Sequence, residues 1–514
     1  MIFSDLFLAG EGLQYVNSIF YNLNSGMVLT ILISIGIMVA IYIMNKNMPN
    51  DKNKLSKKYI ICMIFIIVFT REISFFSLGN EEINSTWKES INIKNIYNDY
   101  TNPNSAMLIS GFYEYNIRCV YKYFYNLITV DKTILKNNID EYNNTYGVKR
   151  TDNNYTGIFK DKNIIYVMME SIDSWVVDNN TMPTLTKLKK DGINFSNRYS
   201  PFFNGGQTIN TEFALNTGLY SIIDRNTIYD YVDITYPYSL ANMFKENGYI
   251  VNSFHANTST FYNRGNFHKL LGYSNHYSAK DMQENGLLDP EKNYFADSVL
   301  ISDDDYFDNI VRKDEKFASF ITTYSAHLEY TKNNFVYSSI NHSVDCSNYS
   351  EEECVYRTLA NDTDNFLNIL IKQLQKRDLL EDTIIVLVTD HYVYGYSDSE
   401  YIALKKGVSN DRRELQNTPF IIWGSDIKSE NIDTILDTAD ILPTILNMWG
   451  IEYNPNNYMG TDIFSDYHDK FVWFADYSYI KSNECTLSNE AILTKVKNNI
   501  KKNKNILLTN YYGK

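Results

Sequence analysis

NIIYVMME, residues 163–170, is an unbroken apolar, β-prone run that ends on a carboxylate. A run of this length without alternation reads as a strand buried on both faces. Five further runs share the texture: YIVNSFHA (249–256), FASFITT (317–323), TIIVLVTD (383–390), TPFIIWG (418–424) and FVWFAD (471–476). Between them lie helical patterns, MPTLTKLKKDG (182–192), YSLANMFKENG (238–248), NDTDNFLNILIKQLQKRDLL (361–380) and TADILPTILNMWG (438–450). Several end in Gly, as helix C-termini do. Alternating strands and helices predict an α/β fold with a mostly parallel sheet covered by helices on both faces. Ligands in such sheets bind beyond the carboxyl ends of the strands. The residues just after each run are therefore the ones to read for chemistry.

Those residues are Glu170, His255, Asp390 and His391, with His327 four residues beyond its run. Taken singly, each has a plain alternative. A carboxylate that ends a strand is often a helix cap or a salt-bridge partner, and a lone His is often a structural hydrogen-bonder. Their convergence on one rim favours a reactive centre. The stretch FFNGGQTINTEFALNTGLYS (202–221) adds a second feature. Gly205 and Gly206 permit a tight turn, and Thr208 sits where a helix can begin. A hydroxyl there can be an ordinary cap. A helix N-terminus also attracts anions, and a Thr hydroxyl becomes a competent nucleophile when a divalent cation lowers its pKa. Glu170, Asp390 and His391 are the residues expected to hold that cation.

MMES (168–171), GGQTINTEF (205–213), FHANTSTFYNR (254–264), ITTYSAHLEY (321–330) and VTDHY (388–392) occur in this order. With these motifs the sequence resembles the lipoteichoic acid synthase family, over about residues 160–465 and the two apolar segments before them. DILPTIL (440–446) and MGTDIF (459–464) add to the likeness. The resemblance implies a membrane-anchored glycerol phosphate transferase with an extracellular domain of alkaline-phosphatase/sulfatase type. It implies that Glu170, Thr208, Asp390 and His391 hold a metal, usually manganese, with magnesium or zinc as alternatives. It makes Thr208 the nucleophile that takes glycerol phosphate from phosphatidylglycerol for a glycolipid or polyglycerolphosphate acceptor. It assigns His255, Arg264 and His327 to the substrate phosphate or glycerol. The residue types agree: Arg binds phosphate through paired hydrogen bonds, and oxygen ligands with one imidazole suit manganese or magnesium. Three positions depart from the family pattern: Gln207 where Lys is common, Tyr262 where Trp is common, and Ala326 where Asn is common. They bear on the acceptor and head group, not on the metal. His268, His276, His342 and His468 match no motif and read as structural or surface residues.

Composition bounds the rest. The 514 residues are 44% hydrophobic and 21% charged, which excludes a disordered or collagen-like chain. Lys+Arg of 47 against Asp+Glu of 61 gives a net charge of -14, a poor match to nucleic acid. The five Cys contain no CxxC pair, which argues against a zinc ribbon or thioredoxin-type site. Cys346 and Cys354 can pair if the domain is exported; two unrelated thiols is the alternative.

Residues 27–44, MVLTILISIGIMVAIYIM, carry no charge and are expected to span a bilayer. A second span is expected at about 59–77. The Lys-rich loop 46–58 between them is expected in the cytoplasm, which puts the chain from about residue 80 outside the cell. The same rule puts Met1 outside without a cleavable signal, so further spans upstream of this sequence are expected. The expected organisation is a membrane region at 1–80, a juxtamembrane linker at 81–160, the catalytic domain at 161–480 and a basic tail at 481–514. IRCVYKYFYNLI (117–128) reads as an amphipathic helix against the membrane or the next domain. The tail reads as a solvated helix or a strip facing anionic lipid. Competing readings are a phosphoethanolamine transferase, a metal-dependent phosphodiesterase and a non-catalytic lipid or polymer sensor. A sensor has no need of an activated hydroxyl, and a true sulfatase is disfavoured because no Cys or Ser lies in a CxPxR-like motif.

Overall fold

The structure is a computed structural model that describes residues 131–201, 207–221, 234–289, 295–474 and 477–513, with scattered positions between 65 and 121. The run at 163–170 forms β1 (Asn163–Met169), buried at every residue. Its side chains alternate: Ile165, Val167 and Met169 enter one core, while Ile164, Tyr166 and Met168 enter the other. The remaining strands are β2 (Ile193–Phe195), β3 (Arg198–Tyr199), β4 (Ile250–His255), β5 (Asn275–Tyr277), β6 (Phe317–Thr322), β7 (Thr383–Thr389), β8 (Phe420–Trp423), β9 (Glu430–Ile432), β10 (Leu436–Asp437), β11 (Phe471–Trp473) and β12 (Tyr479–Lys481). Eight of them make one sheet, in the order β5-β4-β6-β1-β7-β8-β2-β9. The pairings are parallel except that β8 runs against both β7 and β2. FVWFAD does not join this sheet: β11 pairs with β12 in a separate antiparallel ribbon, with Phe471 and Trp473 packed on a small cluster around Tyr220 and Val496.

The helices that position the site are α1 (Lys132–Tyr146), α2 (Pro183–Asp191), α3 (Gln207–Thr217), α4 (Leu240–Glu246), α5 (Arg264–Leu271), α6 (Glu351–Lys376), α7 (Thr438–Met448) and α8 (Asn489–Thr509). α2 and α6 cover one face of the sheet through Leu185, Leu188, Leu359 and Leu370. α3, α4 and α7 cover the other through Phe213, Phe244 and Ile445. Local chemistry explains their ends. The Ser350 hydroxyl accepts from Glu353 N at the start of α6, with Glu351, Glu352 and Glu353 in its first turn. Asp437 and Asp440 form a reciprocal capping box at α7.

Residues 481–514, expected as a basic tail, contain α8, whose Ile506 and Leu507 enter the same core as Phe213. Lys502 is buried, donates to Asn456 O at 2.9 Å and lies over the Tyr142 ring. The apolar positions of α8 pack on α1 and the domain, and among its polar ones Lys495 pairs with Asp469, Asn499 accepts from the Tyr142 hydroxyl and Asn503 bonds the Tyr220 backbone. The end of the expected linker also packs here, with Phe159 N donating to Met448 O at 2.8 Å. Cys346 and Cys354 form a disulfide with Cα atoms 5.4 Å apart. The expected span at 27–44 lies outside the described residues, as do most of 59–77 and, of the helix expected at 117–128, residues 122–128; 117–121 are helical. Among the described residues no helix is long and apolar enough to cross a membrane.

Candidate metal centre and active site

Strand register sets the site. β1 and β7 end in step, Met169 opposite Thr389. The ladder continues one residue further, with Asp390 N donating to Met169 O at 3.0 Å, so Glu170 and Asp390 leave the sheet side by side. β4 and β6 also end together, His255 opposite Thr322. Ser171 then adopts a left-handed conformation, φ 53°, which is strained for a residue other than glycine. The turn aims its amide at Asp390 Oδ1, 2.8 Å away, while its hydroxyl donates to Glu170 Oε1 at 2.8 Å. Asp390 Oδ1 also accepts from His391 N at 2.7 Å. One oxygen of each carboxylate is thereby held by the backbone turn and its hydroxyl.

α3 brings Thr208 to this turn. Its Oγ1 donates to Glu170 Oε2 at 3.3 Å and lies 3.2 Å from His391 Nε2. The Thr211 hydroxyl donates to Asp390 O at 2.6 Å and docks the helix, and the Ser200 hydroxyl, just after β3, donates to the same carbonyl at 2.8 Å. His391 commits Nδ1 to the Tyr392 carbonyl at 3.0 Å, so Nε2 faces the carboxylates. Nε2 stands 3.1 Å from Asp390 Oδ2, yet that oxygen is buried and has no hydrogen-bond partner.

Glu170, Asp390 and His391 each offer one atom within 4.8 Å of the others. Burial, and then the charge of Asp390, push the Glu170 carboxyl up to about 8. Burial alone would lower His391, but Asp390 and Glu170 raise it to about 9. Of two carboxylates converging in a dry site, one holds a proton unless a cation replaces it. Asp390 Oδ2 beside the directed His391 imidazole, and Glu170 Oε2 beside the Thr208 hydroxyl, fit a divalent cation of hard or borderline type.

The other expected site residues line the same end of the sheet. His255 donates Nδ1–H to Thr322 O at 2.9 Å, and burial followed by the Arg264 charge holds its pKa down to about 3. It is therefore a neutral imidazole with Nε2 as acceptor. His327 donates Nδ1–H to Leu328 O at 2.7 Å and stacks on Tyr324 at 5.1 Å; burial keeps it below the usual range. The Tyr324 ring also lies 6.1 Å from the His255 ring. Arg264 is buried at the first turn of α5 and binds Glu212. Glu212, Ser171 and Tyr324 were not singled out by sequence. The available signal for Glu212 was its place four residues after Thr208. His268 bonds Glu212, His276 bonds Ser253 and His468 faces Asp440, while His342 is exposed.

Residues 162–451, more than half of the chain, match the family model described as Sulfatase. The chain belongs to the sulfatase family. Lipoteichoic acid synthase 2 of Bacillus subtilis (strain 168) is 25% identical over 391 residues, which cover 72% of this chain and 56% of that protein. The lipoteichoic acid synthase of Staphylococcus saprophyticus is 26% identical over 385 residues, 69% of this chain and 57% of that protein. The chain thus spans a little over half the length of the curated relatives it matches. The crystal structure of a lipoteichoic acid synthase from Listeria monocytogenes superposes with a TM-score of 0.56 at 20% identity, covering 73% of this chain and 98% of that one. A protein of the alkaline phosphatase superfamily from Vibrio parahaemolyticus gives a TM-score of 0.55 at 17% identity, covering 75% of this chain and 98% of that one. Both share the fold. Within this family fold, the residue that meets Glu170 and His391 is Thr208, not a Cys or Ser.

Proposed function

We propose that the chain is a metal-dependent phosphoglycerol transferase. It takes glycerol phosphate from phosphatidylglycerol and passes it to a polyglycerolphosphate or glycolipid acceptor of lipoteichoic-acid type. The observation that carries this reading is Thr208 Oγ1, poised 3.3 Å from Glu170 Oε2 and 3.2 Å from His391 Nε2 at the carboxyl end of the sheet. The two relatives named lipoteichoic acid synthase support the substrate class.

Thr208 Oγ1 attacks the phosphorus. The Oγ1–P bond forms, the bond from phosphorus to the diacylglycerol oxygen breaks, and the proton lost by Thr208 balances the one that oxygen gains. An acceptor hydroxyl then attacks the same phosphorus, the P–Oγ1 bond breaks, the proton lost by the acceptor balances the one Thr208 regains, and the two half-reactions alternate at one site. Glu170, Thr208, Asp390 and His391 would hold the divalent cation, manganese by the resemblance; when bound, it supplies charge stabilisation to the hydroxyl and phosphoryl oxygens. His255 and His327 keep Nε2 available to accept a hydrogen bond from the acceptor hydroxyl, because both commit Nδ1 to carbonyls. Arg264 offsets the charge on the phosphoryl oxygens. The catalytic part faces the outside of the cell membrane, behind spans at 27–44 and 59–77. The Cys346–Cys354 bond suits an oxidising compartment.

The test is diacylglycerol release from head-group-labelled phosphatidylglycerol by the purified full chain with manganese. Wild type should release it and Thr208→Ala should not. Equal release by both, or consumption of phosphatidylethanolamine in preference to phosphatidylglycerol, would overturn the reading.

A further inference from the structure

Glu212 lies one helical turn after Thr208 on α3, and its side chain is wholly buried. Arg264 Nε donates to both of its oxygens at 3.1 Å, and Nη2 donates to Oε2 at 2.9 Å. His268 Nε2 bonds Oε1 at 2.5 Å. Arg264 and His268 are themselves one turn apart on α5. A single carboxylate thus ties the helix of Thr208 to the helix of Arg264. α5 begins at Arg264, directly after Tyr262 and Asn263, whose φ values are 56° and 52°. Two consecutive non-glycine residues in the left-handed region are costly. Their effect is to start the helix so that its first side chain meets Glu212.

The guanidinium offers five N–H donors in a planar fork. Glu212 engages the Nε and Nη2 side. Nη1 is buried and has no hydrogen-bond partner. A buried cationic donor left unpaired is unfavourable, and the edge that remains, Nη1 with the second Nη2 hydrogen, matches two oxygens of a phosphoryl group.

We infer that Glu212 is a positioning residue that aims the free edge of Arg264 at the phosphoryl group, in register with Thr208 one turn away on the same helix. The ligand of that edge is a phosphate ester or phosphate anion. The inference rests on the phosphoryl-transfer reading above and adds to it the group that orients Arg264. His268, the second donor to Glu212, keeps the carboxylate from rotating away from Arg264.

The experiment uses the full-length, manganese-loaded protein, diacylglycerol release from phosphatidylglycerol vesicles, and inorganic phosphate as competing anion. Glu212→Gln should lower turnover and weaken phosphate inhibition by roughly tenfold or more, the scale for losing a partner that orients a charged ligand, with manganese content unchanged. In an Arg264→Ala background the same substitution should change turnover by less than about twofold, because its target is already gone. Glu212→Asp, which keeps the charge but withdraws it by one methylene, should weaken phosphate inhibition in the same direction and covers the case in which the Gln variant does not fold. Losses that multiply in the double variant would overturn the inference. So would an Arg264→Ala variant that loses turnover while Glu212→Gln and Glu212→Asp keep wild-type phosphate inhibition. If Arg264→Ala itself turns over normally, the substrate assignment fails, and this inference fails with it.

Discussion

Asp390 Oδ2, buried with no hydrogen-bond partner, is the atom that most clearly asks for a cation. It was legible in sequence because the end of a parallel-sheet strand is where this chemistry sits; TIIVLVTD followed by His391 carries a carboxylate and an imidazole to that end. Glu212 was not legible as a functional group, since its partner Arg264 is 52 residues away and only the fold joins them. The protonation of the centre gives a direct test. Burial and the Asp390 charge push the Glu170 carboxyl up to about 8, and the two carboxylates outweigh burial to push His391 up to about 9. Protons on these groups compete with the cation. Manganese affinity should therefore fall as pH drops below about 9, and more steeply below about 8, by up to roughly tenfold per unit for each proton displaced. Titration calorimetry from pH 6.5 to 9 should show proton release that grows as the starting pH is lowered. An affinity independent of pH would contradict the assignment of these ligands. Asp390→Ala should bind no manganese at any of these values.

At the scale of elements, the long runs and long helical patterns were readable because periodicity needs length to show. β2, β5 and β9 have three residues each, too few to display a period. α8 carries apolar residues at helical spacing among its lysines, but nothing in the sequence says which surface receives them. In the structure they close the core beneath the end of α3. Asn503 on α8 accepts from Tyr220 N at 3.0 Å and donates to Tyr220 O at 2.8 Å, just beyond the α3 C-terminus. Asn503→Ala removes both bonds from a buried peptide and should cost about 1–3 kcal/mol in chemical unfolding. Manganese affinity should stay as in wild type, because no metal ligand moves. A change below about 0.5 kcal/mol would mean that α8 is dispensable for the end of the Thr208 helix.

At the scale of the whole molecule, the doubly covered sheet was legible because β1 and β7 are buried on both faces and therefore apolar throughout. The extent of the folded body was not. α1 and α8 flank the motifs in sequence and pack into the same cores, which composition does not announce. The antiparallel β8 and the displaced β11 were also hidden, since strand direction leaves no mark on an apolar run. What the sheet accomplishes is to gather residues from five distant segments, Glu170, Thr208, His255, His327 and Asp390 with His391, at one end, and the central claim is that Thr208 becomes covalently loaded there. Intact-protein and peptide mass spectrometry of the full chain, mixed with manganese and phosphatidylglycerol but no acceptor, measures this most directly. The account predicts a glycerol phosphate adduct on Thr208 that disappears when acceptor is added and never forms in Thr208→Ala. A wild-type protein that releases diacylglycerol without ever carrying the adduct, together with a Thr208→Ala variant that still releases it, would contradict the account and make the protein a hydrolase.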